Sequence, residues 1–314
     1  MILCVTLNPC LDKTLIAPAW KPGDSVRGLA VREVVGGKGN NVARALKHLG
    51  RKAHPVTFLG GSIGTHCDHL LRHDDGLEPR TVTTEAVTRV ILTVRTESTA
   101  DQTAFFDPAP AVTTAEAEAL YQLVETSLTE GGVTALTLSG SSPAAATHGL
   151  YLDLIALSRA RKVPVFLDTY GPALDAVWGF WPDAIQLNHR EASAHLRTSN
   201  ANEDDLFVLL GQWAGRGVHC AVVTNGPGPV LIQLRGQRYR ALPPRIEVVN
   251  PVGSGDSLLA GLVDAWLFGL EPMAMLRHAL ACAASNAIVW DPGAVDPDVV
   301  RRLEEEIVVE PLGR

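Results

Sequence analysis

The chain has 314 residues, 46% of them hydrophobic, and carries a formal net charge of -7 at pH 7. It is long enough to bury a core without disulfides, and its five scattered cysteines form no CxxC pair that would indicate a zinc site. There is no block of Lys or Arg, and no apolar run approaches the roughly 20 residues of a membrane span. We therefore expect a cytoplasmic globular protein with no nucleic-acid or membrane partner.

The predicted elements alternate between strands and helices. The apolar start MILCVTL has no basic lead, so it predicts a first strand rather than a signal peptide. NVARALKHLG then places Val42, Ala45, Leu46 and Leu49 on one helical face and ends at Gly50. Further along, ALTLSG, VPVFLDTY, AIQLN and CAVVTNG predict buried strands, and DLFVLLGQWAGRG predicts a helix. This alternation is typical of a mostly parallel sheet with helices on both faces.

Two stretches interrupt this alternation. LIAPAWKPGDSVRGLAVREV and TVTTEAVTRVILTVRTESTADQTAFFD contain strand patterns joined by turns, with no helix between them. We expect these insertions, at about residues 12–35 and 86–108, to pair into a small β-sheet that acts as a lid. The alternative is that they extend an edge of the main sheet. Because no repeat or linker divides the chain, residues 1–314 are predicted to form one domain.

Polar residues follow several of the predicted strands. Ligands of open parallel sheets bind beyond the carboxyl ends of the strands, so these positions predict a binding site. Taken singly, each residue favours the role of a helix cap or turn former, and only their common placement favours a binding site. The residues are Asn8, Asp12, Ser139, Ser141, Asp168, Asn188, Glu191 and Thr224 to Gly228.

The motif GGKGNN, Gly36 to Asn41, opens the first predicted helix. Glycines at a helix start let backbone amides approach an anion, and Asn can bond hydroxyl groups. The spacing differs from the GxxxxGK[ST] of a P-loop and from the GxGxxG of a dinucleotide fold. The motif alone therefore predicts an anion or polyol site of unknown identity.

The stretch NPVGSGDSLLAG combines glycines with a carboxylate at the start of an apolar helix. Gly253, Ser254 and Gly255 can direct several amides at one point, which stabilises a phosphoryl group during transfer. Asp256 beside them can accept the proton of an attacking hydroxyl. The alternative is that Asp256 only caps the helix, for which a single Ser or Asp suffices. The combination favours a phosphotransferase.

The two glycine motifs occur together with VTLNPCLD, TRVILTV, LSGSSP, VFLDT, LNHRE and VVTNG. In these motifs and in their order the chain resembles the PfkB-type, ribokinase-like carbohydrate kinases over essentially its whole length. TLNPCLD and SGSSP resemble the branch of 1-phosphofructokinase and tagatose-6-phosphate kinase. The resemblance implies a three-layer α/β/α sandwich with a β lid, and ATP and Mg²⁺ as cofactors. Because exposed lid strands of two copies can pair, we also expect a homodimer.

The resemblance also implies site residues. Asp256 matches the catalytic base and Gly253 to Gly255 the anion hole, while Glu191 and Asn188 match residues that place magnesium through water. Two arginines match positions that bind the phosphate of a sugar phosphate, which suits a guanidinium group, although a surface role is the alternative for each. The acceptor residues are Asp12, Arg27, Gly37, Lys38, Asn41, Arg89, Ser139 and Ser141. The nucleotide residues are Asn188, Thr224, Gly226, Gly228, Ser285 and Asn286.

Three departures from the branch pattern concern the same sites. Gln186 and Leu187 stand where many members have Lys-Pro, Pro229 where glycine is common, and Ile91 where asparagine is common. We interpret the chain as an ATP-dependent kinase of a phosphorylated ketohexose. The alternatives are a kinase of an unphosphorylated sugar or nucleoside, and a sugar-phosphate sensor that binds without turnover.

Overall fold

The structure is a computed structural model that describes residues 1–97, 102–177 and 179–313. In chain order its elements are β1 (Ile2–Thr6), β2 (Cys10–Ala17), β3 (Ala30–Gly36), α1 (Lys38–His48), β4 (Ala53–Gly60), α2 (Gly61–His73), β5 (Arg80–Thr84), β6 (Arg89–Thr96), β7 (Gln102–Phe106), α3 (Thr114–Glu130), β8 (Ala135–Ser139), a 3₁₀ turn (Ala145–Thr147), α4 (Leu150–Ala160), β9 (Val165–Asp168), α5 (Pro172–Asp175), β10 (Ala184–Asn188), α6 (His189–His195), α7 (Glu203–Gly215), β11 (Cys220–Thr224), β12 (Val230–Leu234), β13 (Gln237–Leu242), α8 (Ser254–Phe268), α9 (Pro272–Ala287), α10 (Pro297–Glu304) and β14 (Val308–Leu312).

A ten-stranded sheet forms the middle layer, in the order β14-β13-β12-β11-β10-β9-β8-β1-β4-β5. Neighbours from β11 to β5 pair in parallel, and β12, β13 and β14 add an antiparallel edge. Along β1, Cys4 faces one buried cluster, while Leu3 and Val5 face the other. Helices α1, α2, α8, α9 and α10 pack on the first face, and α3, α4 and α7 on the second. The predicted mostly parallel three-layer sandwich is confirmed.

The two insertions form a separate small sheet in the order β3-β2-β6-β7, as predicted. β2 pairs in parallel with β6, while β3 and β7 pair antiparallel at the outside. Residues 98–101 of the second insertion lie outside the described residues. The start of the second stretch follows the alternative interpretation, because β5 pairs with β4 at the edge of the main sheet.

The helices that periodicity predicted occur at the expected places. Helix α1 ends where Gly50 adopts a left-handed backbone with φ 78°. Helix α7 begins with a reciprocal pair of side-chain bonds between Asn202 and Asp205. Within the described ranges, no helix is both long and apolar enough to cross a bilayer.

A charged cluster joins the last three helices. His278 on α9 places Nε2 2.9 Å from Asp264 Oδ2 on α8, and Nδ1 2.6 Å from Glu304 Oε1 on α10. Arg51, after α1, donates to the other oxygen of Asp264. Burial disfavours the imidazolium, but the contacts with Asp264, Cys282 and Glu304 outweigh it and raise the pKa of His278 to about 11.

This cluster predicts a loss of stability at alkaline pH. Folding raises the pKa of His278 from an ordinary 6.5, so its contribution is complete below pH 6.5 and is lost as the pH rises toward 11. We expect His278→Gln to lower the free energy of unfolding at pH 7 by about 1–3 kcal/mol and to flatten its decline toward alkaline pH. Urea unfolding at several pH values measures both effects.

His219→Gln is the matched control. The His219 side chain is 55% exposed, and its Nδ1 lies as far as 4.0 Å from Asp183 Oδ1. Parallel stability curves for the wild-type protein and His278→Gln would contradict the assignment.

Candidate active site

The carboxyl ends of the parallel strands bring the predicted polar residues to one edge of the main sheet. Thr6 at the end of β1 is in register with Ser139 of β8, which is in register with Asp168 of β9. Asn188 of β10 is likewise opposite Thr224 of β11. This is the edge at which open parallel sheets bind ligands.

Helix α1 begins at this edge in the GGKGNN motif. Gly37 precedes the helix with φ 110°, and a Cβ there would lie 2.7 Å from Thr6 Cγ2. A Cβ on Gly39 would lie 2.4 Å from Thr6 Oγ1. Because no Cβ fits at these distances, the glycines allow α1 to start against β1 and carry Lys38 and Asn41 to the strand ends.

Lys38 joins acidic side chains from two other elements. Its Nζ lies 2.7 Å from Asp168 Oδ1 and 3.0 Å from Glu191 Oε1. Burial disfavours the ammonium, but three nearby carboxylates, those of Asp168, Glu191 and Asp256, outweigh burial and raise the pKa of Lys38. Burial also raises the pKa of Asp168, an effect that Lys38 opposes. The predicted sugar residue Lys38 is thus part of an ion-pair network.

Asn188 and Glu191 bond each other across the start of α6. Asn188 Oδ1 accepts from the Glu191 amide at 2.9 Å, and Glu191 Oε2 accepts from the Asn188 amide at 3.0 Å. No group of three or more His, Cys, Asp or Glu side chains is arranged to hold a metal ion in the part of the chain that the structure describes. The placing of Mg²⁺ through water by Glu191 and Asn188 stays a prediction.

Asp256 faces another helix rather than capping its own. It is the third residue of α8, whose N-cap is Gly253, and no side chain caps that helix. Asp256 Oδ2 instead accepts a hydrogen bond from Asn41 Nδ2 at 2.7 Å, and the residue is only 6% exposed. The carboxylate is therefore directed at α1 and the strand ends.

The surroundings of Asp256 bring its titration close to neutral pH. Burial raises its pKa to about 7, and the negative charge of Asp168 adds to the rise. Lys38 and the hydrogen bond from Asn41 act in the opposite direction. Both protonation states of Asp256 are consequently accessible at physiological pH.

The side chain of Gln186 on β10 bonds the backbone of the second glycine motif, at Gly255. Its Nε2 donates to the Gly255 carbonyl at 2.9 Å, and a Cβ on Gly255 would lie 3.1 Å from the same nitrogen. Gln186 is 2% exposed, and no described group bonds its Oε1. The departure from the family pattern thus places a neutral amide in contact with the backbone of the motif.

Ser285 and Asn286, predicted at the nucleotide, are buried on α9. Asn286 Nδ2 donates to the Val252 carbonyl at 2.9 Å, and its Oδ1 accepts from the Gly293 amide at 2.6 Å. Ser285 Oγ accepts from the Asp296 amide at 3.0 Å. Both side chains hold neighbouring loops, and their contact with a nucleotide stays a prediction.

Asp12 and Arg89 lie on the neighbouring strands β2 and β6, where the small sheet joins the main one. Arg89 lies opposite Cys10 in the β2–β6 pair, and its Nη2 donates to the Asn8 carbonyl at 3.2 Å. Burial raises the pKa of Asp12 to about 6, an effect that the Arg89 charge opposes. A Cβ on Gly36 would lie 2.1 Å from Asp12 Oδ2, so glycine provides the space for this carboxylate.

The remaining predicted residues differ in their surroundings. Ser141 Oγ accepts from Asn8 Nδ2 at 3.1 Å, whereas Ser139 is fully buried. Arg27 is exposed in the segment between β2 and β3, so the structure does not bring it to the buried part of the site. Thr224 ends β11, and Gly226 and Gly228 lie in the turn between β11 and β12, where Gly226 has φ 53°.

Sequence reasoning missed one buried residue and left another without a role. Arg44 is 6% exposed and pairs with Asp75, yet it lies off the apolar stripe of α1, so no sequence signal marked it. Asp168 was recognised as a strand-end residue only. Its partner Lys38 is 130 positions away in the chain.

Two glycines that flank α8 provide a stability prediction. Gly253 and Gly269 have φ of 84° and 69°, so alanine at either costs about 1–2 kcal/mol of backbone strain. At Gly253 the new Cβ would also lie 3.0 Å from the Gly293 amide, whereas no described atom lies within 4 Å at Gly269. We expect urea unfolding to show a larger loss for Gly253→Ala. Equal losses would mean that this packing contributes nothing.

Comparisons with known proteins agree with this fold. The model of the pfkB family carbohydrate kinases matches residues 5–294. A 1-phosphofructokinase of Rhodobacter capsulatus is 28% identical over 99% of this chain and 98% of its own. Phosphofructokinase-2 of Escherichia coli, solved as a tetrameric inhibited form, is 26% identical over 97% and 98% of the two chains, with a TM-score of 0.86. A possible 1-phosphofructokinase of Thermotoga maritima, 24% identical over 100% of both chains, has the same fold, with a TM-score of 0.88. The chain therefore belongs to the pfkB family of carbohydrate kinases.

Proposed function

We propose that this protein transfers the γ-phosphoryl group of ATP to a hydroxyl of a phosphorylated ketohexose, as a sugar-phosphate kinase of the 1-phosphofructokinase type. The observation that carries the proposal is the buried carboxylate of Asp256 beside the glycine-rich start of α8. The names of the relatives from Rhodobacter capsulatus and Escherichia coli support a phosphofructokinase.

Asp256 is the general base in this proposal. With a pKa of about 7, about half of it is deprotonated and able to accept a proton at neutral pH. Asn41 bonds Oδ2, and we assign Oδ1 to the acceptor hydroxyl. As the hydroxyl oxygen bonds to the γ-phosphorus, the bond to the β–γ bridging oxygen breaks, ADP leaves and the hydroxyl proton moves to Asp256.

The backbone amides of Gly253, Ser254 and Gly255 form the proposed anion hole. Gly253 is the N-cap, and Ser254 and Gly255 the first two residues, of a 15-residue helix whose positive dipole end lies at this point. Small residues let phosphoryl oxygens come close to the amides, and fixed amides stabilise charge that develops during transfer. Gln186 and Asn286 hold this loop in place through their bonds to the Gly255 and Val252 carbonyls.

The acceptor occupies the region between the small sheet and the strand ends in this proposal. Arg89 lies beside Asp12 there, and its guanidinium suits paired hydrogen bonds with a sugar phosphate. Arg27, in the exposed segment between β2 and β3, is assigned to that phosphate as well. The sugar hydroxyls are assigned to Asp12, Gly37, Lys38, Asn41, Ser139 and Ser141.

The donor lies on the other side of Asp256, toward β10 and β11. We assign ATP to Asn188, Thr224, Gly226, Gly228, Ser285 and Asn286. Bound Mg²⁺, reached through water by Glu191 and Asn188, would neutralise charge on the phosphates.

Assembly and location complete the proposal. The small sheet exposes Val31, Phe105 and Phe106, and Leu29 just before β3 is exposed as well; the accessible fractions are 54%, 53%, 66% and 55%. Open strand edges with apolar side chains favour pairing between copies, so we propose a homodimer through this sheet. All five cysteines are free thiols, which suits a reducing cytoplasm.

Replacing the base is the first test. We expect Asp256→Asn to lower turnover by roughly 100-fold or more, because the amide cannot accept the hydroxyl proton. The measurement is magnesium-dependent ADP release from ATP with fructose 1-phosphate, fructose 6-phosphate, tagatose 6-phosphate, fructose, ribose and adenosine in parallel. Asp264→Asn is the matched control, since Asp264 is also a buried carboxylate of α8 but bonds Arg51 and His278.

Each outcome of this panel has a distinct meaning. Activity on a phosphosugar that Asp256→Asn loses supports the proposal. Activity on a neutral sugar or adenosine alone overturns the substrate class and keeps the mechanism. A fully active Asp256→Asn removes the mechanism, and phosphosugar binding without turnover indicates a sensor.

Removing Arg89 tests the acceptor site. We expect Arg89→Ala to raise the KM for the phosphosugar about tenfold or more and to leave the KM for ATP nearly unchanged, because a charged phosphate contact is lost. Arg95→Ala is the matched control on the same strand, since Arg95 lies over the Trp290 ring. Equal effects of Arg89→Ala on both KM values would place Arg89 outside the acceptor site.

A further inference from the structure

Arg44 on α1 is a buried arginine that uses every N–H it has. Nε and Nη2 donate to the two oxygens of Asp75, both at 2.8 Å, and Nη2 also donates to the Val35 carbonyl at 3.0 Å. Nη1 donates to Asn41 Oδ1 at 2.8 Å and to the Pro292 carbonyl at 2.9 Å. Five donors to four groups leave the guanidinium one orientation.

That orientation decides which way the amide of Asn41 points. Asn41 accepts from Arg44 with Oδ1 and donates to Asp256 with Nδ2, at 2.7 Å. Turning the amide over would place Oδ1 against the carboxylate and the NH₂ group against the guanidinium. Both contacts would be repulsive, because each would join two acceptors or two donors.

We propose that Arg44 is a positioning residue that directs the Asn41 amide toward Asp256, with Asp75 anchoring the guanidinium. The chain Asp75–Arg44–Asn41–Asp256 crosses from the loop after α2 through α1 to α8 by hydrogen bonds alone. The catalytic meaning of the chain rests on the proposed role of Asp256 as the base.

Other charged groups also face Asp256, and the test has to separate them from Arg44. Asp168 on β9 and Glu191 on α6 raise the pKa of Asp256, and Lys38 on α1 lowers it. The hydrogen bond from Asn41 stabilises the carboxylate and so lowers the pKa. Loss of the Asn41 donor therefore raises the pKa of Asp256, and the acid limb of the activity profile moves to higher pH.

The experiment titrates the Asp256 carboxyl by NMR in protein labelled at the aspartate γ-carbons, with Asp256→Asn to assign the signal. We expect the wild-type pKa near 7 and a rise of about one unit in Arg44→Gln, a tenfold change in proton affinity. Arg44→Lys keeps the charge but cannot bridge all four groups, so we expect a similar rise. Asn41→Ala alone and Asn41→Ala with Arg44→Gln should titrate alike.

Three results would overturn the proposal. They are an unchanged titration in Arg44→Gln, a wild-type titration in Arg44→Lys, and a further shift when Arg44→Gln is added to Asn41→Ala. Arg51→Gln is the matched control, because Arg51 also bonds a carboxylate of α8 but at Asp264, and it should leave Asp256 unchanged.

If Arg44→Gln does not fold, Asp75→Asn decides the matter, because it removes the anchoring charge and retains the arginine. We then expect a smaller rise in the pKa of Asp256, and no rise would overturn the proposal. The titration needs no turnover. If the substrate panel finds no kinase activity, the titration of Asp256 still tests the positioning role of Arg44.

Discussion

The Lys38 ammonium lies among the carboxylates of Asp168, Glu191 and Asp256, which come from three elements far apart in the chain. Removing several carboxylates from water costs free energy unless a cation shares the site. Lys38 meets this requirement because α1 starts directly against β1. There is no room for a Cβ at positions 37 and 39, which are glycines. The glycines of the first motif therefore determine where the positive charge of Lys38 lies, and with it the electrostatics of the site. They also determine how closely a ligand can approach the backbone.

The same arrangement separates the two buried aspartates. Lys38 bonds Asp168 directly, at 2.7 Å, but affects Asp256 only through space. Lys38 opposes the rise that burial causes in the pKa of Asp168, and the negative charge of Asp168 raises the pKa of Asp256. Burial thus raises the pKa of both carboxylates, but only Asp168 has the Lys38 ammonium in direct contact.

Local pattern was enough to predict the alternating strands and helices, the small sheet and the glycine motif at the start of α8. Strand pairing joins residues that are far apart in the chain, so local pattern could not predict it. β5 was therefore attributed to the lid stretch, although it joins β4 at the edge of the main sheet. Arg44 and the loop contacts of Asn286 could not be recognised for the same reason. Their partners, among them Pro292 and Val252, are set by the tertiary fold and leave no periodic signal.

Gln186 shows how a departure from the family pattern acquires physical meaning. A lysine at this position, as in many members of the branch, would place an ammonium beside the Gly255 carbonyl, one residue before Asp256. Such a charge would favour the carboxylate and lower the pKa of Asp256. The neutral amide keeps the hydrogen bond to Gly255, at 2.9 Å, without that effect. Burial and Asp168 then hold the pKa of Asp256 at about 7, where a base is half-deprotonated at neutral pH.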